Sequence, residues 1–262
     1  GKLEKALEKN HGSILYRTRA EELIFKDGKP IGIMALRTNP AGENPENLEI
    51  LADDIIYGGT LHQLHNRLIP ETYRLPERTT WVNSLEMTYP SVVIYAAVDE
   101  TVIPDDTLPI QMFADNPEKI DEKEVTVYIF SLADPSICPR GEHLVMAIGP
   151  QLESWPSPSD PDYRGDAYLQ AKERETERLL DILEAHFPGF RKGLRFSTLA
   201  TPSTIERYTL KERGCVAGPK QQMGQDLLKR QPASTDWDSL FMCGEATVMG
   251  TGSPAVTISG VS

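Results

Sequence analysis

Cysteine is scarce in this chain: Cys138, Cys215 and Cys243 are widely spaced among 262 residues, and no C-x-x-C pair occurs. That spacing argues against a disulfide framework and a cysteine-built zinc site, and it fits a reducing compartment such as the cytoplasm. Clusters of lysine and arginine are missing too; acidic residues outnumber basic ones 39 to 27, for a net charge of −12. Nucleic acid is therefore not an expected partner. An anionic ligand would have to be held by helix ends and backbone N–H groups, without a general positive field. No apolar run reaches membrane-spanning length, and Lys2, Glu4, Lys5 and Glu8 break any signal-like start. Peripheral association with a membrane surface stays open.

What is present is an ordinary globular composition, 39% apolar and 25% charged, in a chain long enough for two lobes. Leu3, Ala6 and Leu7 share one face of a first helix, closed near Asn10-His11-Gly12 with Gly12 in the left-handed conformation. Ser13 to Thr18 alternates as a strand. Leu23 to Phe25 and Ile31 to Leu36 form a hairpin around Asp27-Gly28. Leu48 to Tyr57 reads as one further strand, and Thr60 to Leu68 as a short helix before Pro70. His62 and His65 lie three apart on it, but no cysteine or spaced carboxylate accompanies them, so a metal site is not expected.

From Trp81 the texture turns β-rich, with strands at 91–98, 110–114, 125–132 and 143–148. His143 reads as a strand residue, not a catalytic base. The clearest helix runs from about Asp166 to Phe187, with Leu169, Leu179, Leu180, Leu183 and Phe187 as its buried stripe. A strand at 194–199, a turn at Thr201-Pro202-Ser203 and the segment Ile205 to Thr209 follow, then a glycine-punctuated loop to Arg230. This order predicts an α/β (α+β) architecture. A lobe at 81–195 is inserted between two pieces of another, at 1–80 and 196–262. Both ends read as interrupted: Gly1 begins inside a helix, and Ser262 stops one without a cap.

The most informative stretch is Ser239 to Ser262. Leu240 to Cys243 reads as a buried strand, Gly244-Glu245 as a turn, and Gly250 to Gly252 as a loop opening a helix. Ser253 suits the cap and Pro254 the first helical position, which leaves the N–H groups of Ala255 and Val256 without intrahelical partners. Gly250 and Gly252 would let a flat or anionic group approach the backbone. The string also matches G-x-G-x-x-A. A dinucleotide fingerprint, however, should follow a strand directly and precede an acidic residue by about 20 positions. Here Glu245 to Met249 intervenes and the chain ends ten residues after Gly252. A glycine loop that only turns a corner is the plainer alternative.

Taken together, these motifs resemble the phytoene desaturase, carotenoid isomerase and retinol saturase group of the flavin-containing amine oxidoreductase superfamily. Cys243 to Thr247, Gly250 to Val256 and Ser259-Gly260 are similar to the group's C-terminal flavin motif. Phe187-Pro188-Gly189, Thr201 to Thr204 and Arg207-Tyr208 fit the approach to it, and the stretch through Ala20 and the Asp27-Gly28 hairpin fits the segment passing the adenine. The N-terminal G-x-G-x-x-G unit of the group is not in this sequence, which reads as a fragment without it. The resemblance implies an incomplete FAD-binding Rossmann-like lobe with an inserted mixed-sheet substrate lobe. It implies FAD as cofactor and an apolar, carotenoid or polyene substrate undergoing desaturation, saturation or isomerisation. Its residue implications are Ala20 near the adenine, Gly244 and Glu245 near the ribityl or pyrophosphate region, and Gly252, Ser253, Pro254, Ala255 and Val256 at the isoalloxazine. No catalytic acid or base is implied; Tyr208, Arg207 and His143 are candidates by type alone. A flavin amine oxidase and a flavin-free protein of the GDP dissociation inhibitor type are the alternatives.

Overall fold

The computed structural model describes residues 1–114, 116, 118, 124–226 and 229–261. The chain is a mixed α/β protein in two compact units, Gly1–Glu86 with Gly218–Ser262, and Met87–Ala217.

In the first unit, helix α1 (Lys2–Lys9) precedes a three-stranded antiparallel sheet of β1 (Thr18–Lys26), β2 (Lys29–Arg37) and β3 (Glu46–Leu51). The β1–β2 hairpin turns at Asp27 and Gly28, with φ of 52° and 79°, the paired left-handed geometry that an Asp-Gly turn supplies. β4 (Ile55–Tyr57) and β10 (Leu240–Met242) form a separate parallel pair. Helix α2 (Leu61–Gln63), capped by the Thr60 hydroxyl, runs on as a π-turn, Leu64–Leu68. Helix α3 (Pro76–Ser84) follows. Leu23, Leu61, Leu64, Ile69, Val82, Leu240 and Met242 gather the apolar sides of these elements into one core.

Several expectations are corrected in this unit. Residues 13–17 are not a strand: Arg17 takes a left-handed φ of 55°, and pairing with β2 starts only at Thr18, opposite Arg37. The stretch 48–57 splits into β3 and β4, which belong to different sheets, because the exposed pair Asp53-Asp54 interrupts the apolar pattern. The first helix is closed by His11 at φ 62°, not by Gly12, whose N–H donates to the Leu7 carbonyl at 2.9 Å.

The second unit is a five-stranded antiparallel sheet of β5 (Ser91–Asp99), β6 (Ile110–Phe113), β7 (Val125–Ile129), β8 (Glu142–Pro150) and β9 (Leu194–Ala200), in the order β6-β7-β8-β5-β9. Helix α4 (Asp166–His186) covers one face, where Leu179, Leu180 and Leu183 pack with Val92, Ile94, Val127, Val145, Ala147 and Leu199. Each fully buried Val, Ile or Leu side chain contributes roughly 1.5–3 kcal/mol there.

Leu169 is exposed and the buried residue of that turn is Tyr168, so the expected stripe is corrected at its N-terminal end. Ile205 to Thr209 belongs to a helix, α5 (Pro202–Thr209), whose start is fixed by the Thr201 hydroxyl accepting from the Thr204 N–H at 3.2 Å and by Pro202 in the first turn. The units are bounded at 86/87 and 217/218, where the sequence reading places boundaries at 80 and 195. β9 pairs with β5, and Pro90 bridges Cys215, which keeps 194–217 with the second unit.

Candidate functional site

The site begins at the carboxyl ends of the two parallel strands. β4 and β10 run in register from Ile55 opposite Leu240 to Tyr57 opposite Met242, and the Cys243 N–H donates to the Tyr57 carbonyl at 3.1 Å. Beyond that point β4 delivers Gly58-Gly59 and β10 delivers Cys243-Gly244-Glu245. In parallel α/β sheets, the edge beyond the carboxyl ends is where ligands collect, because the strands stop there and leave backbone groups and loops free to converge.

Gly244 holds φ at 97°, and a Cβ built on it would stand 3.6 Å from the Gly58 carbonyl. That is an ordinary contact distance, so the left-handed φ and not crowding is what calls for glycine here. The Gly244 N–H donates to the Ser259 hydroxyl at 2.8 Å, and the Gly244 carbonyl accepts from the Thr247 N–H and hydroxyl at 3.1 and 2.7 Å. Glu245 is half-buried, and its backbone carbonyl accepts from the Arg230 guanidinium.

Helix α6 (Ser253–Ser259) corrects the expected capping. Gly252, not Ser253, is the N-cap: its φ of 94° and ψ of 154° lie in a region open essentially to glycine alone. Its carbonyl accepts from the Val256 N–H at 3.0 Å. Ser253 and Pro254 are therefore already helical, Ser253 makes no side-chain cap, and the Val256 N–H is spent. By helix geometry the N–H groups of Ser253 and Ala255 are the ones without an intrahelical acceptor. Gly252 is exposed, and a Cβ built there meets nothing within 4 Å, so a flat group can reach this backbone. Gly250 does not offer the same access: it is buried, and the Gln221 amide occupies the place of its missing side chain. Gly244 and Glu245, just beyond β10, are thus tied to the helix that Gly252 to Val256 open, through the Ser259 hydroxyl.

Ala20 stands on β1, half-buried and opposite Ala35, next to a bulge where Glu21 has no cross-strand partner. The Glu21 carboxylate there binds Arg19 and Arg67, and the latter comes from the π-turn. No hydrogen bond among the described residues joins Ala20 to the tail. The catalytic candidates by type are dispersed in the second unit. His143 is on β8 with its Nδ1 2.8 Å from the Ser131 hydroxyl, while Tyr208 is exposed and stacked under Arg207.

Two groups of residues were not singled out in the sequence. Arg230 is only 4% exposed and reaches three carbonyls of the tail and its neighbouring loop. Gln225 clamps Glu86 and Lys220 through their backbones. A lone Arg or Gln in a glycine-punctuated loop carries no sequence signal for burial, since both types are mostly exposed. His65 is the other surprise: it is 2% exposed in the π-turn, and burial, reinforced by the Arg78 charge, lowers its pKa to about 4. In the second unit, a cleft of ≈ 440 Å³ is lined by Trp155, Ser157, Asp160, Pro202, Glu206 and Arg213, among others. Burial raises the Glu206 carboxyl above its ordinary range despite a 3.0 Å hydrogen bond from Ser157. No helix among the described residues is long and apolar enough to cross a membrane.

No family model matches the chain. It is 25% identical over 265 residues to the chloroplastic prolycopene isomerase of Daucus carota, covering 99% of this chain and 41% of that protein. Against the chloroplastic prolycopene isomerase of Arabidopsis thaliana the identity is 23%, over 99% of this chain and 42% of the relative. The chain thus spans less than half the length of these curated relatives. Among solved structures, an oxidoreductase from Methanosarcina mazei superposes with a TM-score of 0.64 at 17% identity, over 99% of this chain and 51% of that one. The chain is similar along nearly its whole length to prolycopene isomerases, and it shares its fold with an oxidoreductase.

Proposed function

We propose that this chain is part of the catalytic body of an FAD-dependent oxidoreductase that acts on a long apolar substrate of the polyene class. The observation that carries the reading is the tail cradle at the carboxyl ends of β4 and β10, in a chain that aligns throughout with prolycopene isomerases. In this reading Glu245 accepts hydrogen bonds from ribityl hydroxyls, because a carboxylate beside a phosphate would be repelled. The N–H groups of Ser253 and Ala255, at the positive end of α6, face the ring and favour negative charge gathering on it. Ala20 would pass the adenine. The pyrophosphate grip, a G-x-G-x-x-G unit, would be supplied from outside these 262 residues. The flavin supplies hydride or electron transfer when bound; the chain's own residues hold it, orient the substrate and exclude water.

The second unit supports the substrate class. The sheet face opposite α4 carries cross-strand rows such as Ile110, Tyr128, Met146, Tyr95 and Thr198, flanked by Met112, Ile148, Leu144, Ala97 and Phe196. No charged residue interrupts these rows, and Tyr95, Ile110, Met112 and Phe196 are all exposed. Five strands give a strip roughly 19 Å across at the usual inter-strand spacing, suited to an extended apolar chain and unsuited to a small amine. This face is the argument against the amine oxidase alternative. The test is the full-length protein purified from a flavin-replete host. It should be yellow with the spectrum of an oxidised flavin, and polyene should perturb that spectrum where amines do not. A colourless protein that binds no added FAD would favour the flavin-free alternative.

A further inference from the structure

The Arg230 guanidinium is a cross-brace under the tail. Its Nε donates to the Thr247 carbonyl at 3.0 Å, its Nη1 to the Pro219 carbonyl at 2.9 Å, and its Nη2 to the Glu245 carbonyl. The neighbouring backbone is pinned as well, since the Val248 N–H donates to the Gln231 carbonyl at 2.8 Å and Gln231 bridges Thr247. A buried guanidinium is costly unless its donors are satisfied, so a cation in this place is hard to account for as packing alone. Its planar fork fixes several acceptors at once, which no other side chain can do.

We infer that Arg230 is the positioning residue of the cofactor cradle. By fixing the carbonyls of Glu245 and Thr247 against the Pro219 loop, it sets the direction in which the Glu245 side chain leaves the backbone. It also sets the path of the loop that leads to Gly252. Burial lowers the pKa of the guanidinium, and the Glu245 carboxylate partly opposes that by favouring the charged form. The inference rests on the proposed function and concerns a residue that touches the backbone of the site, not the reacting atoms.

The experiment uses the full-length protein, with and without bound FAD. Arg230→Met removes the brace, and Arg230→Lys, which keeps the charge and most of the bulk but not the fork, is the deciding variant. The dissociation constant for FAD should rise at least about tenfold in Arg230→Lys, while the unfolding temperature of the FAD-free protein changes far less than the affinity does. Combining Arg230→Lys with Glu245→Gln should weaken FAD by less than the product of the two single effects, because both act through one element. A folded Arg230→Lys protein that binds FAD as tightly as wild type overturns the inference, as does full independence from Glu245→Gln. A variant that cannot fold at all overturns it too, by making Arg230 a residue of the fold. A wild-type protein that binds no FAD sinks the proposed function itself, which is a different outcome.

Discussion

The Gly244 amide donates to the Ser259 hydroxyl at 2.8 Å, so the last turn of α6 is fastened to the first residue pair after β10. The same hydroxyl donates to the Val256 carbonyl at 2.8 Å. The tail therefore closes on itself, and the glycine loop between its two ends is held as a loop instead of fraying. Ser259→Ala leaves the Gly244 N–H without that acceptor and should cost about 1–3 kcal/mol. The check is thermal unfolding, where a variant within experimental error of wild type would show that the contact does not hold the tail.

Glu245 is the residue whose side chain the proposed function needs most. In the full-length protein, Glu245→Ala should lower the fraction of molecules that keep FAD through purification. A modest weakening on the order of tenfold is expected, the scale of one charge-assisted hydrogen bond. Unchanged flavin stoichiometry would remove Glu245 from the cradle.

The apolar rows of the sheet face, bounded at one end by Asp99 and Glu142, make a separate claim. Met146 lies in the central row, between Tyr128 and Tyr95, on the side away from the core. Met146→Glu should impair conversion of a polyene by an order of magnitude or more, since an apolar substrate would have to lie against a carboxylate. FAD content and unfolding temperature should stay near wild type. Loss of flavin in this variant would argue that the face serves the fold and not the substrate.

His65 gives the first unit a defined response to acid. Its folded pKa of about 4 lies below the ordinary value of 6.5, because burial disfavours the charged ring. The unfolded chain therefore takes up the proton first as pH falls. Stability from this group is complete above about 6.5 and declines toward about 4, with a total on the order of 3 kcal/mol. Denaturation of wild type and His65→Phe across this range should show a shallower slope in the variant; parallel curves would contradict the assignment.

Glu206 responds with the opposite sign. Burial and the neighbouring Asp160 and Glu212 carboxylates raise its folded pKa, against the Ser157 hydrogen bond and Arg213. The protonated form is the one the fold prefers, so its contribution is present at low pH and is lost as pH rises from the ordinary carboxylate value through the raised one. Glu206→Gln keeps an acceptor for Ser157 and should unfold at a slightly higher temperature than wild type at neutral pH. An equal or lower unfolding temperature there would refute the argument.

Much of the architecture was legible because it is local. Asp27-Gly28 dictates a hairpin, and the apolar stripe from Leu179 to Phe187 followed by Pro188-Gly189 dictates a helix and its end. The errors have a shared cause. Residues 48–57 carry strand-forming residues on both sides of Asp53-Asp54, and only pairing partners far away decide that 46–51 joins β2 and 55–57 joins β10. Thr201-Pro202 reads locally as a turn, and the same two residues are the cap and first turn of α5. At the tail, the turn and the helix were readable. The identity of the cap was not, because it rests on the backbone angle of Gly252 and not on the type of Ser253.

The sequence by itself determined the elements of the tail, the glycines that keep it thin, and the lack of a basic patch or cysteine framework. Tertiary structure alone decided that Gly58 and Gly244 meet at the ends of two parallel strands, that Gln221 closes the side of Gly250 while Gly252 stays open, and that Arg230 is buried beneath Glu245. The division has a physical reason. Turn and helix signals act over a few residues, where torsion preferences and caps suffice. Burial of a polar side chain depends on which distant carbonyls are brought to meet it, and that is fixed only when the chain has folded.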